Sequence, residues 1–131
     1  MRNIPFPLKL YAALAFLAAA GALWRSVELV VHHGSMTGIA WELLWAAFEI
    51  GLGIGIVQLR PAARVAAIIC CWFVFILFAI VLVCWCIWPQ SVSLAVVAVI
   101  GAATALNLYF YMVFRRTDIQ AMFHLASSRP L

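Results

Sequence analysis

Four long apolar segments, separated by short polar stretches, dominate the hydrophobic pattern of the chain. They cover about residues 8–31, 39–59, 65–88 and 91–114, and a more polar tail follows at 115–131. Each segment is close to the ~20 residues that an α-helix needs to cross ~30 Å of hydrocarbon, and none alternates like a membrane strand. The pattern predicts an all-α membrane protein, a single domain formed by an antiparallel bundle of four transmembrane helices.

The composition favours lipid over water as the surrounding solvent. Of the 131 residues, 69% are hydrophobic and 9% are charged, whereas a soluble domain has about 25% charged residues. The net charge of +4 does not indicate a nucleic-acid partner, because the basic residues are scattered along the chain and form no clustered patch. We therefore expect the lipid bilayer to be one partner and nucleic acid not to be one.

The basic residues concentrate on one side of the predicted topology. Arg25 stands alone on the opposite side. The other basic residues precede the first span, occupy the "RPAAR" connection or follow the last span: Arg2, Lys9, Arg60, Arg64, Arg115, Arg116 and Arg129. The positive-inside rule then predicts a multi-pass protein of the bacterial inner membrane with both termini in the cytoplasm.

The first segment has a second interpretation. Arg2 and Lys9 precede an alanine-rich stretch that ends in small residues, "AAAGALW", as in a cleaved signal peptide. However, the apolar pattern resumes after Arg25 with "VELVV". This continuation favours a retained first span.

Two carboxylates stand inside the second span. Glu42 and Glu49 are seven residues apart, so a helix places them on nearly the same face, about 10 Å apart, in one stripe with Trp45, Ala46 and Gly53. That separation is too large for a shared proton. Glu42 lies near the outer end of the span, where we expect it to form a salt bridge or cap with one of three nearby basic residues, Arg25, His32 or His33.

Glu49 lies close to the predicted midplane of the bilayer. A charge at that depth costs several kcal/mol unless it is paired or neutralised. One hypothesis is a structural hydrogen bond to a neighbouring helix, for which Thr104 and Asn107 are at a compatible depth. The other is that Glu49 handles a proton or a cation.

Small residues recur in the second and fourth spans. Gly51 and Gly55 have the GxxxG spacing, and Gly101 and Ala105 match them in the fourth span. Because small residues let helices approach closely in lipid, we predict packing within the bundle, with a homo-oligomer contact as the alternative. At the span ends, we predict that four arginines anchor the chain at lipid phosphates: Arg60, Arg64, Arg115 and Arg116.

The remaining reactive residues do not form a site in the sequence. Cys70 and Cys71 are about 20 Å along the predicted helix from Cys84 and Cys86, which is too far for a disulfide. "HH" at 32–33 is too small a cluster to predict a metal site. We predict no catalytic residue, no metal and no cofactor, and hence no enzyme.

The tail "YFYMVFRRTDIQAMF" at 109–123 resembles the ending of many small four-helix bacterial inner-membrane proteins. The matching positions are an aromatic residue, a basic pair, an acid, a β-branched residue and a phenylalanine: Tyr111, Arg115, Arg116, Asp118, Ile119 and Phe123. The resemblance implies no activity. The tail itself predicts a short helix along the membrane surface, capped by Thr117, with Ile119, Met122 and Phe123 inserted into the lipid.

Two classes of function fit these features. The first is a non-catalytic protein that contacts another membrane protein, either as an accessory subunit or, most specifically, as an immunity protein against a membrane-targeting or pore-forming toxin. The second is a small proton-coupled transporter or channel that uses Glu49.

Overall fold

The computed structural model describes residues 4–87 and 93–127. The protein is all-helical, with 91% helix, five helices and no β-strand among the described residues. Four of these helices are long and apolar enough to cross a membrane, which confirms the predicted fold class. Some predicted features lie outside the described residues: Arg2, Trp88, the turn at 89–90, the start of the fourth span at Ser91, and Arg129.

The helices match the predicted spans to within a few residues. In chain order they are α1 (Phe6–Val31), α2 (Met36–Val57), α3 (Pro61–Ile87), α4 (Leu94–Arg115) and α5 (Thr117–Ser127). A serine caps the first turn of α2, and a proline begins the first turn of α3. Ser35 Oγ accepts a hydrogen bond from the Gly38 N–H at 3.2 Å, and Pro61 begins α3 at a position that needs no N–H. For this reason α2 and α3 begin before their apolar segments.

The turn that ends α2 reverses the chain through two backbone hydrogen bonds. The Leu59 N–H donates to the Ile56 carbonyl at 3.0 Å, and the Arg60 N–H donates to the Gly55 carbonyl at 2.8 Å. This is the Schellman motif, in which a residue with positive φ, usually glycine, follows the helix. Here that residue is Leu59, with φ 56° and only 2% of its surface exposed.

The turn that ends α1 has the same form. The His33 N–H donates to the Val30 carbonyl at 3.3 Å, and the Gly34 N–H donates to the Leu29 carbonyl at 2.7 Å. His33 takes the positive φ, at 53°, and its side chain is exposed. The glycine therefore stands one residue beyond the position that most needs it.

The chain divides into two compact units. The first comprises Met1–Arg64 and Phe123–Leu131, and the second comprises Val65–Met122. In the first unit α1 and α2 form an antiparallel hairpin, because residues early in one helix contact residues late in the other. Arg25 pairs with Glu42, and Phe16 lies against Gly53.

Small residues form the face that α1 buries in this hairpin. They recur at alternating spacings of three and four, which keeps them on one stripe of the helix, and include Ala12, Ala15, Ala19, Ala22 and Ser26. Ala46 and Gly53 are buried on α2. We call the four alanines of α1 the alanine seam. Such residues allow close approach of two helices in lipid, where no hydrophobic effect drives them together.

Aromatic rings join α3 and α4 in the second unit. Trp72 and Phe75 of α3 meet the Tyr111 ring of α4 edge to face, with centroid distances of 5.9 Å and 6.3 Å. Further along the helices, Phe78 approaches the position that a Gly101 Cβ would occupy, at 3.8 Å. These pairings run in opposite directions along the two helices, so α3 and α4 are also antiparallel. We call Trp72, Phe75 and Tyr111 the aromatic cluster.

The helix in the tail confirms one prediction and corrects two. α5 exists, but Thr117 is its first helical residue and does not cap it. The Arg116 carbonyl accepts the first helical bond, from the Gln120 N–H at 3.0 Å, so Arg116 takes the capping position. Ile119 and Phe123 are 4% and 0% exposed. They are therefore covered by protein and do not insert into lipid as predicted.

Candidate functional site

The carboxylate stripe of α2 faces partly inward. Ala46 and Gly53 are buried, and Glu42, Trp45 and Glu49 are half-buried. The side of α2 that carries the carboxylates therefore also supplies the packing residues of the first unit. This is the arrangement that the helical spacing predicts.

Glu42 has the partner that its position predicts. Its Oε2 lies 3.3 Å from Nη2 of Arg25 on α1, and the two side chains are 18% and 59% exposed respectively. Of the three candidate partners, Arg25 is the one that the structure selects. His32 and His33 lie exposed in the turn beyond it.

A second acid at this end of the hairpin has a partner that the sequence analysis missed. The indole Nε1 of Trp24 donates a hydrogen bond to Oε1 of Glu28 at 3.2 Å. The signal was present in the sequence, because residues four apart on a helix are neighbours. Glu28 is thereby held on α1 itself.

Glu49 differs from both of these acids. It lies two to three residues, or about 4 Å, from the middle of α2. Its side chain is half-buried and has neither a hydrogen-bond nor an ion-pair partner among the described residues. The Phe16 ring against Gly53 closes the hairpin one turn further along. Glu49 is the one acidic side chain in the described residues that combines mid-span depth with the lack of a polar partner.

The two residues predicted as partners of Glu49 bond within α4. Thr104 Oγ1 donates to the Ile100 carbonyl at 2.8 Å, and Asn107 Nδ2 donates to the Ala103 carbonyl at 2.9 Å. Both bonds run one turn back along the same helix, which is how hydroxyl and amide groups are satisfied in an apolar environment. Pairing of either residue with Glu49 stays a prediction.

The glycines pack differently from the predicted GxxxG face. Gly55 is in tight contact, because an added Cβ would lie 2.6 Å from Cβ of Ala63, just after the turn. Gly51 is exposed, and no described heavy atom lies within 4 Å of its Cβ position. The glycine that contacts α1 is Gly53, at 3.0 Å from the Phe16 ring. Within the first unit the close contacts are thus made by Gly53 and Gly55, and the packing role of Gly51 stays a prediction.

The two small residues predicted to pack on α4 have different surroundings. A Cβ added to Gly101 would make an ordinary van der Waals contact with Phe78, at 3.8 Å. Gly101 therefore faces Phe78 but is not tightly packed. Ala105 is exposed, so the predicted contact at this position is not formed within the described residues.

The four predicted anchoring arginines have different surroundings. Arg115 Nη1 donates to the Tyr111 hydroxyl at 3.1 Å, and its guanidinium lies 5.7 Å from the centre of the same ring. Arg116 forms an ion pair with Asp118 at 3.3 Å. Arg60 is exposed and Arg64 is half-buried, at the turn where α3 begins.

The cysteines and histidines do not assemble a metal centre in the described part of the chain. All four cysteines are free thiols, with Cys71 buried among the apolar residues of α3. No group of three or more His, Cys, Asp or Glu side chains there is arranged to hold a metal ion. Glu49 is thus the strongest candidate for a functional side chain.

Comparison of the chain with protein families, with curated proteins and with solved structures finds no match.

Proposed function

We propose that this protein is a non-catalytic membrane protein that acts by binding another membrane-inserted chain. The observation that carries the proposal is Glu49, a half-buried carboxyl group near the middle of α2 with no polar partner among the described residues. A polar group at that depth is costly unless another group hydrogen-bonds to it. A helix of a second protein would supply that group.

The chemistry of Glu49 defines what the partner helix must carry. A carboxyl group in hydrocarbon pairs with a hydroxyl, amide, imidazole or basic side chain, and interhelical bonds of this kind contribute about 0.6–2 kcal/mol. The neighbouring rings of Trp45 and Phe48, with centroids 5.7 Å apart, offer apolar contact on the same side of α2. Phe48 is 41% exposed. A partner helix would therefore find aromatic surface beside one polar group.

In its most specific form, the proposal names the partner as a pore-forming or membrane-targeting toxin and this chain as the matching immunity protein. The short described connections between the helices support this form, since recognition inside the membrane needs only a shaped helix surface. An accessory subunit of a larger membrane complex is supported by the same features. A second copy of the chain is the homo-oligomeric version.

The test is site-specific photo-crosslinking in native membranes. A photoreactive phenylalanine analogue replaces Phe48 in one strain and exposed Ile80 of α3 in the control strain. We expect a discrete protein adduct from position 48, whose yield falls at least several-fold in Glu49→Leu and is retained in the matched acid variant Glu28→Gln. The mass of the adduct separates a toxin, a complex subunit and a second copy.

Two outcomes would contradict the proposal. The first is lipid-only labelling at position 48. The second is an adduct of the same yield in Glu49→Leu. If the adduct contains a toxin, cells that express the wild-type chain should survive that toxin, and cells that express Glu49→Leu should not.

The second candidate function, a small proton-coupled transporter or channel, depends on the same carboxyl group. Glu49→Gln separates the two, because the amide keeps the shape and hydrogen bonding of the side chain but cannot carry a proton. In liposomes, loss of a pH-dependent flux in Glu49→Gln would support transport. Retention of the crosslink in this variant, with no flux from the wild type, would support binding.

A further inference from the structure

Asn107 is a polar side chain within the fourth membrane-spanning helix, and its hydrogen bonding is incomplete. One N–H of its amide donates to the Ala103 carbonyl at 2.9 Å. An asparagine amide also has a second N–H and a carbonyl oxygen with two lone pairs. Neither of these has a partner among the described residues. The side chain is half-buried, so part of the amide is open to a further group.

The depth of Asn107 makes this incomplete bonding costly. The residue lies eight positions, or about 12 Å, before Arg115, which ends α4. The hydrocarbon at that depth contains no water to complete the bonding. Thr104 is the contrasting case, because its single O–H already donates to the Ile100 carbonyl. Of these two polar residues of α4, Asn107 is therefore the one that needs a group from outside the helix.

The chemistry of the amide favours a second copy of the chain as the source of that group. A primary amide both donates and accepts, so two copies of Asn107 related by a twofold axis complete each other through two N–H···O bonds. Such a twofold contact uses the same surface on both copies. Two copies that insert in the same direction have parallel α4 helices, which brings Asn107 to the same depth in each. In coiled coils, a single asparagine of this kind fixes register and oligomeric state.

The surface of α4 around Asn107 suits the close approach of a second helix. Four residues follow alternating spacings of four and three, which keeps them on one stripe of the helix: Val96, Ile100, Ala103 and Asn107. Val96 is 46% exposed, Ala103 is exposed and Ile100 is half-buried. Ala103 lies one turn from the amide and is small enough to let two backbones come together. We call these four residues the asparagine stripe.

We infer that α4 pairs with α4 of a second copy along the asparagine stripe, with Asn107 hydrogen-bonded to Asn107 across the twofold axis. This contact is separate from the one proposed for Glu49, which lies on α2. Each contact is able to form without the other. The protein is therefore a dimer that carries two copies of the Glu49 surface.

Disulfide crosslinking of the purified full chain in lipid vesicles tests which face of α4 is paired. The four native cysteines are replaced by alanine, and one cysteine is introduced by Ala103→Cys or, as the matched control, by Ala105→Cys. Both alanines are exposed, but positions two apart on a helix point to nearly opposite sides. Circular dichroism checks that both variants remain helical. We expect the yield of oxidised dimer to be at least several-fold higher for Ala103→Cys.

Energy transfer between donor- and acceptor-labelled chains, which keep their native cysteines, measures the association constant in the same vesicles. Asn107→Leu should lower it by about threefold to thirtyfold, which corresponds to about 0.6–2 kcal/mol for interhelical hydrogen bonds. Asn107→Gln keeps an amide and should retain most of the association. Thr104→Val removes a hydroxyl that bonds within α4 and should leave the constant nearly unchanged, as should Glu49→Leu.

Three results would overturn the inference. The first is no oxidised dimer, or equal yields from positions 103 and 105. The second is an association constant that falls as much in Thr104→Val as in Asn107→Leu. The third is a loss in Glu49→Leu with none in Asn107→Leu, which would assign self-association to the Glu49 contact and leave that proposal standing.

Discussion

The two helix hairpins of this protein bury their side chains to different extents. In the most apolar stretches of α1 and α2, 33% and 28% of the residues are buried, against 11% in both α3 and α4. The first hairpin is joined by small residues that allow close backbone approach. In the second hairpin, a few aromatic rings join the two helices, and most side chains are not buried.

This difference in burial indicates which hairpin contributes more to the stability of the protein. Close contacts between helices provide the dispersion attraction that holds a membrane protein together in lipid. The first hairpin should therefore carry much of the stability, and substitutions on the outward faces of α3 should be tolerated. Substitutions in the two hairpins test this difference, and their expected effects on stability range from large to small.

The largest effect is expected at Leu59. Truncating this buried leucine with Leu59→Ala should lower the free energy of unfolding by about 2–5 kcal/mol. Leu59→Gly should cost about 1 kcal/mol less than the alanine change, because glycine accepts positive φ without strain. Titration of micelles with SDS, followed by circular dichroism, measures both. Exposed Ile80→Ala in α3 is the control, with an expected change under about 0.5 kcal/mol. Similar losses at Leu59 and Ile80 would contradict the stated difference between the two hairpins.

The next largest effect on stability is expected when single glycines are replaced by alanine, which adds one methyl group. Gly55→Ala should destabilise by about 1–3 kcal/mol, because its new Cβ would overlap that of Ala63. Gly51→Ala and Gly101→Ala have room for a Cβ and should be neutral or stabilising by up to about 1 kcal/mol, from the better helix propensity of alanine. Thermal unfolding in detergent measures all three. A Gly55→Ala protein as stable as Gly51→Ala would show that the turn after α2 is not closely packed.

The aromatic cluster provides the corresponding test in the second hairpin. Tyr111→Leu removes two edge-to-face contacts and the hydroxyl that accepts from Arg115, and should cost about 1–2 kcal/mol. Tyr111→Phe keeps the rings and should cost about 0.5–1.5 kcal/mol, the value of one hydrogen bond. Equal losses in the two variants would mean that the ring contacts between α3 and α4 add little stability beyond the Arg115–Tyr111 hydrogen bond within α4. SDS titration again gives the comparison.

The smallest effect is expected at His33, the counterpart of Leu59 in the other turn. His33 is exposed, so His33→Gly loses little contact and removes a positive-φ strain of about 1 kcal/mol, partly offset by the greater freedom of glycine when unfolded. We expect a net gain of up to about 1 kcal/mol in unfolding free energy. His33→Ala, which keeps the strain, is the matched control. If glycine is no better than alanine, the backbone at this turn is unstrained.

The sequence allowed the spans, the tail helix and the Arg25–Glu42 pair to be predicted. These features depend on helical periodicity and on charges near a span end, which are local properties. The burial of Ile119 and Phe123 was not foreseen, because an amphipathic segment has the same pattern whether protein or lipid covers its apolar side.

The packing of individual glycines was less predictable for a related reason. Gly51 and Gly55 lie on nearly one face of α2, so their spacing alone suggested a shared role. Gly55 instead lies against Ala63 after the chain has reversed, whereas no described atom lies within 4 Å of the position that a Gly51 Cβ would occupy. The sequence predicts a connection at "RPAAR", but leucine stands where glycine is usual, so the pattern did not indicate how closely the turn packs on Gly55.

The alanine seam has a consequence for how the chain is made. Helices α1 and α2 emerge from the ribosome before α3 and α4, and α2 ends at Val57, so their mutual contacts need no later segment. Alanine loses almost no rotamer freedom when it is buried, so this pair is able to associate while the rest of the polypeptide is still being synthesised. The α1–α2 pair is therefore able to close as a hairpin before α3 and α4 have been synthesised.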